Sequence, residues 1–336
     1  MSNNIVLGII GAGRIGKLHG ENIVNNFPDI RLKAIADIYA DKIIEWAQGI
    51  GIEEVYEDYR DILKDPEINT VLICSSTNTH STITIEAAEA GKHIFCEKPI
   101  DFDLEKIVAA LDAVKKAGVK FQVGFNRRFD HNFRKVHELI KEGKIGDPHI
   151  IKVTSRDPEP PPIEYVKVSG GMFMDMTIHD FDMVRYLSGS EVEEVYTNAA
   201  VLVDPAIGEA GDVDTALITL KFKNGAIGVI DNSRRAAYGY DQRVEVFGSK
   251  GGVTVSNDTP SSAVLSTSEG VFADKPKYFF LERYKDSFVE ELRQFFNAIK
   301  NDTKTPVEGI DGLKPIIIAM AARKSYEEKR PIKIIE

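Results

Sequence analysis

The stretch with the most power to dictate a fold is Asn4 to Gly16, NIVLGIIGAGRIG. Ile5, Val6, Leu7, Ile9 and Ile10 form a short, nearly unbroken apolar run, the pattern of a parallel strand buried on both faces. The run stops at Gly11, Gly13 and Gly16, the spacing of a dinucleotide fingerprint. Gly11 permits the tight turn, Gly13 leaves no Cβ between backbone and pyrophosphate, and Gly16 lets the following helix lie against the strand. Phosphates would meet unpaired N–H groups at the helix N-terminus, within Gly11, Ala12, Gly13, Arg14, Ile15 and Gly16.

A glycine-rich turn can also merely reverse the chain, so its surroundings decide. An amphipathic segment follows (Ile15, Leu18, Ile23, Phe27), then a second apolar run, Ile30 to Ala36, ending at Asp37. Asp37 lies 24 residues after Gly13, near the offset of an acid that binds the adenosine ribose. Ile38, Tyr39 and Ala40 follow it, so no cation is placed to neutralise a 2′-phosphate, and the expected cofactor is NAD rather than NADP.

Strand and helix signals then alternate: strands at Thr70 to Cys74, His93 to Cys96 and Val119 to Val123, helices at Ala40 to Gln48, His80 to Ala90 and Leu104 to Ala117. This predicts an α/β, doubly wound parallel sheet over residues 1–124, a Rossmann NAD-binding domain. Ligands of such sheets bind at the carboxyl ends of the strands. Ser75, Thr77, Asn78 and His80 lie there, as do Glu97, Lys98 and Pro99.

Residues 125–336 read differently. A helix at Phe133 to Lys141, a strand at Ile150 to Thr154 and a proline-rich loop from Asp157 to Gly171 precede a helix from Phe173 to Leu187. Short β-like runs follow from Val195 to Ser266, and helices at Tyr284 to Lys300 and Gly312 to Glu328 close the chain. The expectation is a second, α+β domain on an open, mainly antiparallel sheet that carries substrate binding and oligomerisation.

A length of 336 residues suits two domains of roughly 150 each. The net charge of -10, with both signs scattered, argues against a nucleic-acid partner, which needs a basic face. No apolar run approaches the roughly 20 residues of a membrane span, and the N-terminus lacks a secretory signal, so a cytoplasmic enzyme is expected. Cys74 and Cys96 each end an apolar run and read as buried thiols, a disulfide or metal pair being the lesser alternative.

Two places can carry chemistry. Lys98, at a strand end on the nicotinamide side, can hydrogen-bond a substrate hydroxyl and stabilise a forming alkoxide, although an isolated lysine there reads equally as surface. Pro99 restricts the backbone after it, and an X–Pro bond there can be cis. Asp175, His179 and Asp182 would share one helical face at i, i+4 and i+7, suiting a histidine general base oriented by carboxylates. A metal stripe or a plain solvated face are the alternatives. Asn126, Arg127, Arg128, Arg156, Asp157, Tyr238, Tyr240, Asp241 and Arg243 could supply the many donors and acceptors that a polyol needs.

The glycine fingerprint, GKHIFCEKPI, GFNRRFD and GGMFMDMTIHDFDMVRYLSG together resemble the Gfo/Idh/MocA oxidoreductase family, over the whole chain length. SRDP and YGYDQRVEVFGS look most like its inositol-oxidising branch. The resemblance implies NAD-dependent oxidation of myo-inositol to its 2-keto form, or of another cyclic polyol or sugar such as scyllo-inositol or glucose. It further implies Lys98, Asp175 and His179 as the catalytic set, and Arg128, Asp157, Asp182 and Tyr238 at or near substrate hydroxyls. No resident metal and a homotetramer built through the open sheets are also implied. An NAD-sensing regulator without catalysis is the reading from another class, disfavoured by the retained Lys98 and His179.

Overall fold

The computed structural model describes residues 4–335. The chain forms two compact units, one comprising the chain up to Asn126 together with Asp286–Lys314, the other Arg127–Lys285 together with the segment from Pro315 onward.

In the first unit the elements run β1 (Ile5–Ile10), α1 (Arg14–Asn26), β2 (Ile30–Ala36), α2 (Ile44–Gly49), β3 (Glu54–Tyr56), α3 (Arg60–Lys64), β4 (Thr70–Ile73), α4 (Thr77–Glu89), β5 (His93–Cys96), α5 (Leu104–Ala117) and β6 (Phe121–Val123). The strands are all parallel, in the order β3-β2-β1-β4-β5-β6. This is the dinucleotide-binding order, whose direction reverses between β1 and β4. Both faces of the sheet are covered, which is why Ile5, Leu7, Ile9 and Ile10 are all buried.

A single cut near residue 124 does not describe the packing. Leu292, Phe295 and Phe296 join Ile9, Leu72 and Phe95 in the core beneath this sheet, so residues 286–314 belong to the nucleotide-binding unit. Each such side chain, fully withdrawn from water, contributes about 1.5–3 kcal/mol. Nothing within residues 1–124 announces that contribution.

The second unit holds α6 (His131–Lys141), β7 (Pro148–Arg156), α7 (Ile163–Val166), α8 (Gly171–Asp175), α9 (Ile178–Ser188), β8 (Val192–Ala200), α10 (Pro205–Glu209), β9 (Thr215–Phe222), β10 (Ile227–Ser233), β11 (Asp241–Gly248) and β12 (Gly251–Val255). A small hairpin, β13 (Val264–Thr267) with β14 (Gly270–Ala273), precedes α11 (Phe280–Arg283). After α12 (Lys285–Lys300) and α13 (Gly309–Glu328), β15 (Ile332–Lys333) ends the main sheet. That sheet runs β12-β11-β7-β10-β9-β8-β15 and is antiparallel except between β7 and β10. The expected mainly antiparallel sheet is therefore present. Along β9, Ala216, Ile218, Leu220 and Phe222 are buried, and Leu217 is half exposed on the other face. Strict alternation of this kind marks one covered and one open face.

One expected element differs. The single helix from Phe173 to Leu187 is two helices, interrupted at Met176 and Thr177. Met172 O accepts from both Met176 N–H (3.0 Å) and Thr177 N–H (2.9 Å), and Thr177 Oγ donates to Asn232 Oδ1 at 2.7 Å. Anchoring Thr177 to β10 breaks the helical phase. Asp175 thus ends α8, while His179 and Asp182 lie in α9, and the three do not share one helical face.

Candidate active site

At the switch point each fingerprint glycine has a distinct physical reason. Gly11 has φ +95, and a Cβ on it would lie 2.5 Å from the Ser75 backbone nitrogen. A Cβ on Gly16 would lie 2.0 Å from Gly11 O, so helix and turn approach as only glycine permits. A Cβ on Gly13 would meet nothing within 4 Å, leaving the open cradle that a pyrophosphate requires. Helix α1 starts there with no side-chain cap, whereas α5, α6 and α10 are capped by Asp103, Asp130 and Asp204. Its first N–H groups suit an anionic ligand, and the residues present fit NAD. Asp37 ends β2 as expected; Oδ2 accepts from Ala12 N–H at 2.7 Å and Oδ1 from Tyr39 N–H at 2.9 Å. The acid is therefore positioned by the glycine turn itself.

Thr77, Asn78 and His80 form the first turn of α4 rather than a loop. His80 is buried, with Nδ1 2.8 Å from Pro99 O and Nε2 2.9 Å from Ser75 O, and it ties the β4–α4 connection to the segment carrying Lys98. The Lys98–Pro99 peptide bond is cis. Cys74 and Cys96 are free and buried, and burial pushes both thiols up, which suits inert packing.

In the second unit Arg234, at the end of β10, reaches Asp157 Oδ2 (3.1 Å) and Asp175 Oδ2 (3.0 Å). Tyr165 donates to Asp175 Oδ1 at 2.8 Å. Burial pushes the Asp157 carboxyl up and Arg234 pulls it back. Two acidic side chains from separate elements are thus held by one buried guanidinium. Arg128 forms a two-pronged contact with Asp182, Nε to Oδ2 at 2.8 Å and Nη2 to Oδ1 at 2.6 Å. These two residues, expected at substrate hydroxyls, are paired with each other, and Asp182 is buried. Tyr238 stays partly exposed; its hydroxyl donates to Asp241 and accepts from Arg156.

Beside His179, Asp180 is fully buried against Arg127 Nη1 at 2.6 Å and Asn232 Nδ2 at 2.8 Å. Burial raises its carboxyl to about 6 against the pull of Arg127, so the pair is ionised at neutral pH. This network fixes the first turn of α9, which carries His179. Arg234, Asp180 and Asn232 escaped the sequence reading. Arg234 stands just past a strand end, like Asp157, and the same criterion could have found it; Asp180, between His179 and Phe181, lies off the i, i+4, i+7 spacing and gave no signal.

Residues 5–125 match the oxidoreductase family with an NAD-binding Rossmann fold, and residues 133–254 the GFO/IDH/MocA C-terminal domain. An uncharacterized oxidoreductase, YrbE, of Bacillus subtilis is 56% identical over 99% of this chain and 98% of its own. Myo-inositol 2-dehydrogenase of Thermotoga maritima is 51% identical, covering 98% of each chain. The crystal structure of scyllo-inositol dehydrogenase from Lactobacillus casei, with bound NAD(H) and scyllo-inositol, superposes with a TM-score of 0.92 at 30% identity, covering 98% of this chain and 99% of that one. The chain belongs to the Gfo/Idh/MocA family: it is an oxidoreductase with an NAD-binding Rossmann domain.

Proposed function

We propose that the protein oxidises one secondary hydroxyl of myo-inositol to the ketone, giving 2-keto-myo-inositol, with NAD as hydride acceptor. The observation that carries this reading is the cluster built on Arg234. Arg234 holds Asp157 and Asp175 on one cation, a set of donors and acceptors suited to a ring bearing several hydroxyls. The 51% identity to a myo-inositol 2-dehydrogenase supports the choice of ring.

His179 takes the hydroxyl proton, Asp175 on the preceding helix joins it in the catalytic set, and Lys98 orients the oxygen and stabilises the negative charge that develops on it. Asp157, Tyr238 and the Arg128–Asp182 pair hold the remaining hydroxyls. Bound NAD supplies the acceptor at nicotinamide C4, held by Gly11 to Gly16, Asp37, Ser75, Thr77, Asn78, His80, Glu97 and Lys98. The unit formed by the chain up to Asn126 with Asp286–Lys314 serves the cofactor, and the unit formed by Arg127–Lys285 with the segment from Pro315 onward serves the substrate and assembly.

Purified protein with NAD and myo-inositol should generate NADH absorbance, with NADP a poor substitute. Turnover of scyllo-inositol or glucose but not myo-inositol would reject the substrate and keep the reaction. Scyllo-inositol is the specific rival, because a relative 35% identical over 99% of this chain is a scyllo-inositol 2-dehydrogenase.

Among the described residues no helix is long and apolar enough to cross a membrane, and the proposed setting is the cytoplasm. The open sheet face exposes Leu217, Ile227 and Phe247, large side chains that a homotetramer would cover. Light scattering coupled to size exclusion should give four times the 37.3 kDa chain mass. A monomer at micromolar concentration would reject that assembly.

A further inference from the structure

The first unit brings together three ionisable groups, two of them fully buried and the third, Glu97, largely so. His19 lies in α1, Glu97 follows β5, and Glu291 lies in α12. One ligand-capable atom from each falls within 4.8 Å of the other two. His19 and Glu291 are both 0% exposed. His19 Nε2 is 2.8 Å from Glu97 Oε1, while His19 Nδ1 and both carboxylate oxygens of Glu291 have no hydrogen-bond partner among the described residues. Phe95 and Phe288 stand edge-on to the imidazole at 5.4 and 5.9 Å.

Two carboxylates this close, in apolar surroundings, do not both ionise. Their polar contacts differ: His19 Nε2 lies against Glu97, and no group among the described residues hydrogen-bonds the side-chain oxygens of Glu291. Burial, and then the neighbouring Glu97, push the Glu291 carboxyl well above the usual carboxylate range. With Glu291 held neutral, the charge that the carboxylate pair can hold falls to Glu97, directly before Lys98.

The surroundings confine that residue tightly. Glu97 N–H donates to Ile73 O at 2.9 Å, and Gly124 N–H donates to Cys96 O at 2.8 Å. A Cβ on Gly124 would lie 2.9 Å from Glu97 Oε2, so glycine there makes room for the carboxylate. Gln122 Nε2 donates to Glu291 O at 2.9 Å and pins α12 against β6. A lysine with four rotatable side-chain bonds delivers its ammonium group reproducibly only if its backbone is fixed, and Glu97 is the fixed point nearest to it.

We propose that His19, Glu97 and Glu291 form a buried clamp that positions Lys98, with Glu97 as its one anion and Glu291 as a neutral acid. Glu97, His19 and Glu291 are positioning residues here, and the inference rests on Lys98 acting in the oxidation proposed above. A divalent cation is the competing way to neutralise the same two carboxylates.

The test uses the full-length protein in the NAD-coupled polyol assay. Glu97→Gln keeps the shape and removes the charge; at saturating NAD, kcat should fall about ten- to hundred-fold while the polyol KM stays within about two-fold. Gly124→Ala, which displaces the carboxylate without removing it, should lower kcat in the same way and serves if Glu97→Gln does not fold. Glu291→Leu should also lower kcat, and Glu291→Gln should rescue it, since the amide reproduces a neutral acid. Full kcat in Glu97→Gln, or Glu291→Gln as impaired as Glu291→Leu, overturns the clamp. So does a stoichiometric metal in the purified protein by mass spectrometry of elements. Lys98→Ala separates the two levels: normal turnover there removes the underlying reading and the clamp with it. An inactive Lys98→Ala beside a normal Glu97→Gln removes the clamp alone.

Discussion

Replacing His179 by alanine is expected to lower kcat for polyol oxidation by about 10²–10⁴-fold, the usual contribution of a positioned general base. A thousand-fold loss corresponds to about 4 kcal/mol of barrier. NAD affinity should be unchanged, because Gly11 to Gly16 and Asp37 belong to the other unit. The fold should tolerate the change, since the first turn of α9 is held by Asp180, Arg127 and Asn232 rather than by the imidazole. Steady-state kinetics combined with a fluorescence titration of NAD make the comparison. Unchanged turnover would rule out the base, and a raised KM with intact kcat would make His179 a binding residue only.

The largest effect on stability is expected at the neighbouring position. Asp180→Asn leaves the Arg127 guanidinium, itself 5% exposed, buried without its counter-ion. Breaking one side of such a pair costs about 3–5 kcal/mol, because the remaining charge keeps its desolvation penalty. The single amide oxygen of asparagine would also have to serve either Arg127 or Asn232, each of which now has a carboxylate oxygen of its own. Urea denaturation should show the midpoint falling by that amount of free energy. A loss below about 1 kcal/mol would mean that relaxation or water rescues Arg127, and the network would then be a minor anchor for α9.

These two neighbours also show what a sequence discloses. His179 could be proposed from sequence because its signal is local: a histidine near carboxylates inside a recognisable motif. Asp180 was hidden because its meaning depends on Arg127 and Asn232, 53 and 52 residues away. The first unit was read nearly strand by strand, since parallel strands buried on both faces write themselves as apolar runs closed by glycine or polar residues. The interruption at Met176 and Thr177 was missed for the opposite reason. The helical periodicity of that stretch is genuine, and a tertiary hydrogen bond to Asn232 overrides it. His19 and Glu291 present the extreme case: two unremarkable positions in sequence, joined to Glu97 only by the fold.

The return of α12 to the nucleotide-binding unit bears on how the protein comes into being. During synthesis the glycine turn and all six parallel strands emerge early, but Leu292, Phe295 and Phe296 complete their core only after every strand of the second sheet except β15 has been made. Until then a patch of Ile9, Leu72 and Phe95 neighbours lacks its cover, and the cofactor cradle stands on an unfinished base. The two units are thus ordered in time by the path of the chain: the half translated first is among the last to be completed. A fragment ending at residue 124 would carry every residue of the dinucleotide fingerprint and lack the helix that closes the core beneath it.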